Sequence, residues 1–280
     1  MLKRTEGHFK GKDGINLFLQ TWQHAKSVGT LVLTHGLSEH SECYNRFAEG
    51  MAPAGWDIYA WDLRGHGRSE GKRGLVLDFR DYCHDLNIFY QLVQAKVSGQ
   101  KKPMVMLGHS LGGLITLRTV LEFADVAPTA LTLSSPALGI AMPVPFIKDK
   151  ASHVLASVWP SLTLFNEVNY KRLSQDPAIL ASYETDALRH DKISPRLYLG
   201  MQESFRFVAE HAHKIQQPVM MQLAQNDPLV STPAAEAVFE HLPSPTKRKI
   251  LYANSLHEIF NDIERQKVYA DLGEFLSALR

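Results

Sequence analysis

The chain has 280 residues, of which 45% are apolar and 21% charged. This is ordinary for a globular protein, and the chain is long enough to bury a sizeable core. Lys and Arg number 30 against 29 Asp and Glu, a net charge of +1, which excludes the electropositive footprint of a general nucleic-acid binder. The only two cysteines, Cys43 and Cys83, exclude a disulfide scaffold and a four-cysteine zinc site and suit two reduced thiols.

The chain opens with a predicted hairpin, residues 7–10 and 15–22 around the turn signal Lys12-Asp13-Gly14. The apolar run 30–34, closed by His35-Gly36, reads as a strand buried on both faces. Residues 43–53 read as helix and 57–61 as strand, followed by the glycine-rich loop 64–69. Phe79, Tyr82, Leu86, Phe89, Tyr90 and Val93 recur at helical spacing within 78–97. A strand at 104–107, a helix at 111–123 and a strand at 130–134 follow. Strands alternating with helices predict a mostly parallel sheet covered on both faces.

The rhythm then breaks. Residues 138–207 show no clear buried strand, only helical stretches such as 146–158 separated by prolines. Alternation returns with a strand at 219–224, a helix near 233–241, a strand at 249–252 and a last helix from Asn261. Lys247-Arg248-Lys249 reads as a solvated strand start. The expectation is one α/β core formed by residues 1–137 and 208–280, interrupted by a helical cap, 138–207, over the carboxyl edge of the sheet, where open α/β sheets bind ligands.

No membrane span or secretory signal is expected. Residues 1–19 contain no continuous apolar run. The uncharged stretch 126–147 is long enough for the ~20 residues of a bilayer span, but Pro128, Pro136, Pro143 and Pro145 break a helix repeatedly. The expected location is the cytoplasm.

The strongest chemical signal is Gly108-His109-Ser110-Leu111-Gly112. A strand precedes it and an apolar helix follows, the setting in which a G-x-S-x-G turn strains a serine and exposes its hydroxyl at a helix N-terminus. Side chains at positions 108 and 112 are expected to collide across the turn. A serine hydroxyl needs a base. Of 13 histidines, His257 lies in a loop after a late strand. The acid belongs after the preceding strand, where Asp227 is the only carboxylate of Gln225-Asn226-Asp227-Pro228. The oxyanion donors expected are the N–H groups of Leu111 and of Leu37, with Gly36 allowing close backbone approach and His35 bracing the loop.

Asp62 to Gly71 lacks the spacing of a dinucleotide or phosphate loop and reads as a structural loop tied down by Asp62 and Arg64. His211 and His213 are two apart and point differently, so no metal site is expected. No cofactor is called for.

These motifs resemble the monoacylglycerol lipase and lysophospholipase group of capped α/β-hydrolases, over nearly the whole chain. The resemblance rests on His35-Gly36-Leu37-Ser38-Glu39-His40-Ser41, the loop Asp62 to Gly71, the elbow 108–112, Asp227 and His257. It implies an α/β-hydrolase fold, a serine esterase with the triad Ser110, Asp227 and His257, and Glu39 as a substrate-binding residue. Two positions depart from the group: Cys43 stands where a basic residue helps hold the glycerol head, and Phe260 stands for a second histidine.

The expected substrate is a small acyl ester or lipid cleaved through an acyl-enzyme on Ser110. The apolar cap residues suit an acyl tunnel or transient contact with a membrane surface. A general carboxylesterase, an aminopeptidase on the same fold and a non-enzymatic receptor for a small ligand are the competing readings. No acid of the insertion stands out to hold a substrate amine.

Overall fold

A computed structural model describes residues 2–142 and 144–280. Pro143, one of the four helix-breaking prolines, lies outside the described residues. Eight strands form one sheet, introduced here with the helices between them. Strands β1 (Lys3–Lys10) and β2 (Asn16–Gln23) make the expected antiparallel hairpin. Then come β3 (Gly29–Thr34), α1 (Asn45–Met51), β4 (Trp56–Trp61), α2 (Arg80–Val97), β5 (Met104–His109), α3 (Leu111–Glu122) and β6 (Ala130–Ser134).

The segment after β6 carries α4 (Phe146–Val158), the two-residue strands β7 (Leu164–Phe165) and β8 (Lys192–Ile193), and between these α5 (Pro177–Thr185); α6 (Pro195–His211) follows. The chain closes with β9 (Val219–Ala224), α7 (Thr232–Glu240), β10 (Lys247–Tyr252) and α8 (Arg265–Ser277).

The sheet order is β1-β2-β4-β3-β5-β6-β9-β10. The six strands from β4 to β10 run parallel, and β2 alone is antiparallel to both of its neighbours. Each central strand is apolar on both faces because both are covered. Val32 of β3, Met106 of β5 and Met221 of β9 join one core with residues of α2, α3, α6 and α7. Their neighbours Leu31, Leu33, Val105, Leu107 and Met220 join the other, with Phe47 of α1 and Val268 of α8. The period of two along a strand explains this division.

Helix α6 runs without interruption through position 207. Ser194 caps its start, accepting from the Leu197 N–H at 3.1 Å, and Pro195 occupies the first turn. Leu197, Met201, Phe205 and Val208 belong to the same core as the sheet. The helix therefore roots the preceding segment in the core. By contrast α4 buries only Ala156.

Two expectations need correction. The last helix begins at Arg265 rather than Asn261. The Asp262 carboxylate accepts from the Leu256, Gln175 and Ile263 N–H groups and holds the intervening residues in turns. The basic triplet is not merely solvated. Lys247 Nζ donates to the carbonyls of Phe239, Glu240 and Leu242 at 3.0–3.1 Å, closing the C-terminal end of α7. Arg248 and Lys249 pair with acids of α8 and α7. Among the described residues no helix is long and apolar enough to cross a membrane.

Candidate active site

Ser110 stands between β5 and α3 with φ 52° and ψ −120°, a strained conformation for a residue with a side chain. A Cβ at Gly108 would approach the Gly112 carbonyl oxygen to 2.5 Å, so this position collides across the turn as expected. Position 112 differs. Its Cβ would strike the Thr34 and His35 carbonyl oxygens, so that glycine serves the packing of α3 against the end of β3.

The structure brings Ser110, Asp227 and His257 into one line. Ser110 Oγ donates to His257 Nε2 at 2.8 Å, and His257 Nδ1 donates to Asp227 Oδ2 at 2.7 Å. Asp227 Oδ1 accepts from the Leu229 and Val230 N–H groups at 2.9 and 3.0 Å. All three residues are buried. Burial favours the uncharged forms, but the facing partners outweigh it. The Asp227 charge and hydrogen bond hold the His257 pKa above its ordinary value, while His257 and the two backbone N–H groups hold Asp227 below the usual carboxylate range.

The loop after β3 is tightly held. His35 Nδ1 donates to the Gly36 carbonyl at 2.7 Å and Nε2 accepts from the Leu63 N–H at 2.9 Å. Burial pushes this imidazole down to about 4, so it stays neutral and braces the loop. Glu39 Oε1 accepts from the Gly36 N–H and, at 2.8 Å, from the Tyr44 hydroxyl. Burial, with Glu258 nearby, pushes the Glu39 carboxyl up to about 7. Glu39 lines a cavity, but its Oε1 is committed to the loop that carries Leu37. Ser38, at φ 68°, accepts at Oγ from Asn166 Nδ2 at 2.9 Å, a bond from the segment above the sheet.

The glycine-rich loop is structural, as its sequence suggests. Asp62 accepts from the Ser41 and Arg68 N–H groups, and Arg64 grips Asp85 through Nε and Nη2 at 2.6 and 2.9 Å.

Two cavities meet at Ser110. One, of about 470 Å³, is lined mainly by apolar side chains such as Ile140, Met142, Leu155, Met201 and Phe205. The other, of about 540 Å³, carries the charged and polar side chains Glu39, Arg73, Arg189, His190, His257 and Glu258 and is called the polar cavity below. Leu37, Ser110, Asn166, Val168 and Leu229 line both.

Several of these polar residues escaped sequence reasoning. Arg189 Nη2 donates to Cys43 Sγ at 3.3 Å, its guanidinium lies 3.8 Å from the Tyr183 ring centre, and Glu258 Oε1 is 3.6 Å away. No local motif marks it, because its partners are distant in sequence. His109, inside the elbow, has its ring centre 5.0 Å from that of His257, the two planes tilted by 47°, and burial pushes its pKa down to about 3. Two acids of the insertion, Asp186 and Asp191, also line the polar cavity, contrary to the expectation that none would stand out.

One cluster bears on metal binding: ligand atoms of His40, Cys43 and Asp186 lie within 4.8 Å of one another. The Arg189 guanidinium already occupies the sulfur, and burial pushes the Cys43 thiol up, away from the thiolate a metal needs.

Comparison with known proteins places this geometry. The hydrolase family described as Serine aminopeptidase, S33 matches residues 25–264. The chain belongs to this family. It is 27% identical to a monoacylglycerol lipase of Mycolicibacterium smegmatis over 98% of the chain and 97% of that protein. It is 28% identical to the phospholipase YtpA of Bacillus subtilis over 89% of the chain and 95% of that protein. The crystal structure of Paleococcus ferrophilus monoacylglycerol lipase superimposes with a TM-score of 0.81 at 26% identity, covering 100% of both chains. The fold of this family member is thus that of an α/β-hydrolase, and its likeness to monoacylglycerol lipases extends along the whole chain.

Proposed function

We propose that this protein is a serine hydrolase that cleaves the carboxylic ester of a single-chain lipid, a monoacylglycerol or a lysophospholipid. The observation that carries this reading is Ser110 on the wall shared by an apolar and a polar cavity. An ester of a fatty acid with a polar alcohol has the same two-sided character. The acyl chain lies in the apolar cavity and the alcohol in the polar one. The monoacylglycerol lipase and phospholipase relatives support this reading.

The chemistry is acyl transfer in two halves. Ser110 Oγ attacks the ester carbonyl carbon while its proton passes to His257 Nε2. The carbonyl oxygen becomes an oxyanion facing the Leu37 and Leu111 N–H groups, at the N-terminal end of α3. The bond to the alcohol oxygen then breaks, and His257 gives its proton to that oxygen. Water, deprotonated by His257, attacks the acyl carbonyl and releases the fatty acid and Ser110. Asp227 keeps the ring in the required tautomer and stabilises its charged form. Glu39 serves substrate binding by fixing the loop that carries Leu37. No step uses a cofactor or a metal.

Residues 138–207 act as a cap on a core of 1–137 and 208–280. The outer side of the cap suits transient contact with a lipid surface. Phe146 is 72% exposed and Ile147 80%, beside Lys148 and Lys150, and such an apolar face edged by lysines favours anionic bilayers. Two unpaired cysteines fit a reducing location such as the cytoplasm.

Hydrolysis of monoacylglycerols, lysophospholipids, simple esters and aminoacyl amides tests the reading. Each buried CH₂ contributes about 0.8 kcal/mol, so turnover of the esters is expected to rise from acetyl to decanoyl. A preference for acetyl would identify a general carboxylesterase, and selective release from aminoacyl amides an aminopeptidase. Absence of labelling of Ser110 by a fluorophosphonate would leave only a ligand receptor.

A further inference from the structure

His257 sits in a stretch without helix or strand, between β10 and α8. Such a stretch is mobile unless its backbone groups are held, yet this ring must stay within hydrogen-bond reach of both Ser110 and Asp227. The amides on either side of His257 show what holds it. The Leu256 N–H donates to Asp262 Oδ2, and the Glu258 N–H donates to the Leu173 carbonyl at 2.9 Å. Asp262 is fully buried. Its Oδ1 accepts from the Gln175 N–H at 2.7 Å and from the Ile263 N–H at 2.9 Å.

Leu173 and Gln175 belong to the segment after β6, far from His257 in sequence. Two side chains join the same contact. Ser174 Oγ donates to the Asn261 carbonyl at 3.0 Å, and Gln175 Nε2 donates to the Asn254 carbonyl. The next residue fixes the contact to the rest of the fold. Asp176 Oδ2 accepts from Arg46 of α1 at 2.7 Å and from Arg265 of α8 at 3.2 Å, while its Oδ1 caps α5 through the Ala178 N–H. Residues 173–175 therefore grip the histidine loop at 254, 258, 261 and 262, and Asp176 is itself gripped from two helices. Ser174, Gln175 and Asp262 line neither cavity, so any effect they have on the reaction passes through His257.

We infer that Asp262, Ser174 and Gln175 are positioning residues for His257, and that the segment after β6 sets the place of the catalytic imidazole as well as walling the substrate cavities. This inference rests on the ester-hydrolase reading and adds to its machinery. A misplacement of about 1 Å can cost about 10²-fold in rate. The clamp therefore acts on kcat for every ester, whatever its acyl chain or alcohol.

The test measures p-nitrophenyl acetate and decanoate hydrolysis by variants of the clamp. Gln175 is exposed, so Gln175→Ala removes one arm without disturbing the core. Its kcat is expected to fall about tenfold, the worth of one hydrogen bond, by the same factor for both esters and with KM unchanged. Gln175→Lys, whose ammonium still donates to the Asn254 carbonyl, is expected to recover most of the loss. Asp262→Asn sets an NH₂ group against one of the backbone N–H groups and is expected to cost about 10²-fold in kcat. Should this buried variant fail to fold in urea titration, the Gln175 pair decides.

The pH profile gives a readout that lost stability alone would not move. The groups facing the His257 ring are Asp227, Glu258, Glu39 and His109, and Asp227 does most to raise its proton affinity. A ring that strays from Asp227 titrates lower, so the rising limb of kcat is expected to shift to lower pH in Gln175→Ala. Wild-type kcat with an unmoved limb in that variant would overturn the inference, as would a loss confined to KM or to the decanoate. Failure of the wild type to cleave any ester, or to be labelled at Ser110 by a fluorophosphonate, would instead sink the underlying reading.

Discussion

The Arg189 guanidinium donates to the Cys43 sulfur at 3.3 Å. A positive charge thus reaches the loop before α1 from the segment above the sheet. It arrives with its own counter-charge, Glu258, and an aromatic platform, Tyr183. Arg189 is thus part of the wall of the polar cavity and a joint between the segment after β6 and the loops that carry Cys43 and Glu258.

Removing that joint is expected to be costly. Arg189 has a side chain 14% exposed, and Glu258 is 6% exposed. Breaking a buried pair by deleting one member typically costs about 3–5 kcal/mol. Arg189→Met is expected to lower stability by this order in urea unfolding. The double variant Arg189→Met with Glu258→Gln is expected to recover part of the loss, since it leaves no uncompensated charge. An Arg189→Met protein as stable as the wild type would show that the pair is idle.

Ser110→Ala is expected to reduce ester turnover by about 10⁴-fold or more, with far-UV circular dichroism unchanged. Substantial p-nitrophenyl ester hydrolysis by this variant, at a rate near wild type, would remove Ser110 from the chemistry.

The pH profile follows from the Asp227–His257 bond. The Asp227 charge raises the His257 pKa above the ordinary 6.5 of an imidazole, outweighing burial. The base works only when neutral, so kcat/KM is expected to rise with pH along a limb centred above 6.5. Stability carries the opposite sense: the contribution of this raised pKa is complete below the unfolded value and is lost as pH rises through the folded one. Asp227→Asn is expected to lower the midpoint of the limb and to reduce kcat by about 10⁴-fold. An unchanged midpoint in Asp227→Asn would show that the carboxylate does not control the imidazole.

Surface binding is separable from chemistry. Phe146→Ser combined with Ile147→Ser is expected to weaken co-sedimentation with anionic phospholipid vesicles while leaving hydrolysis of a water-soluble ester near wild type. Unchanged vesicle binding would argue that α4 faces water only.

Much of this was legible because it is local. The elbow around Ser110 lies within one strand, one turn and one helix, and its glycines answer to contacts of that turn or the adjacent strand. The loops bearing Asp227 and His257 follow strands whose apolar runs are plain. The polar cavity was not legible. Arg189 meets Cys43 across 146 positions. No periodicity encodes such encounters, since they arise from how the helices between β6 and β9 pack back over the sheet. The late start of α8 has a similar cause: Asp262 draws in backbone groups from both near and distant segments.

The bond from Asn166 to Ser38 ties the segment above the sheet to the loop after β3. Asn166 belongs to the roof of both chambers, and Ser38 adjoins the Leu37 amide. One hydrogen bond thus fastens a wall common to both cavities to the loop that carries the Leu37 amide.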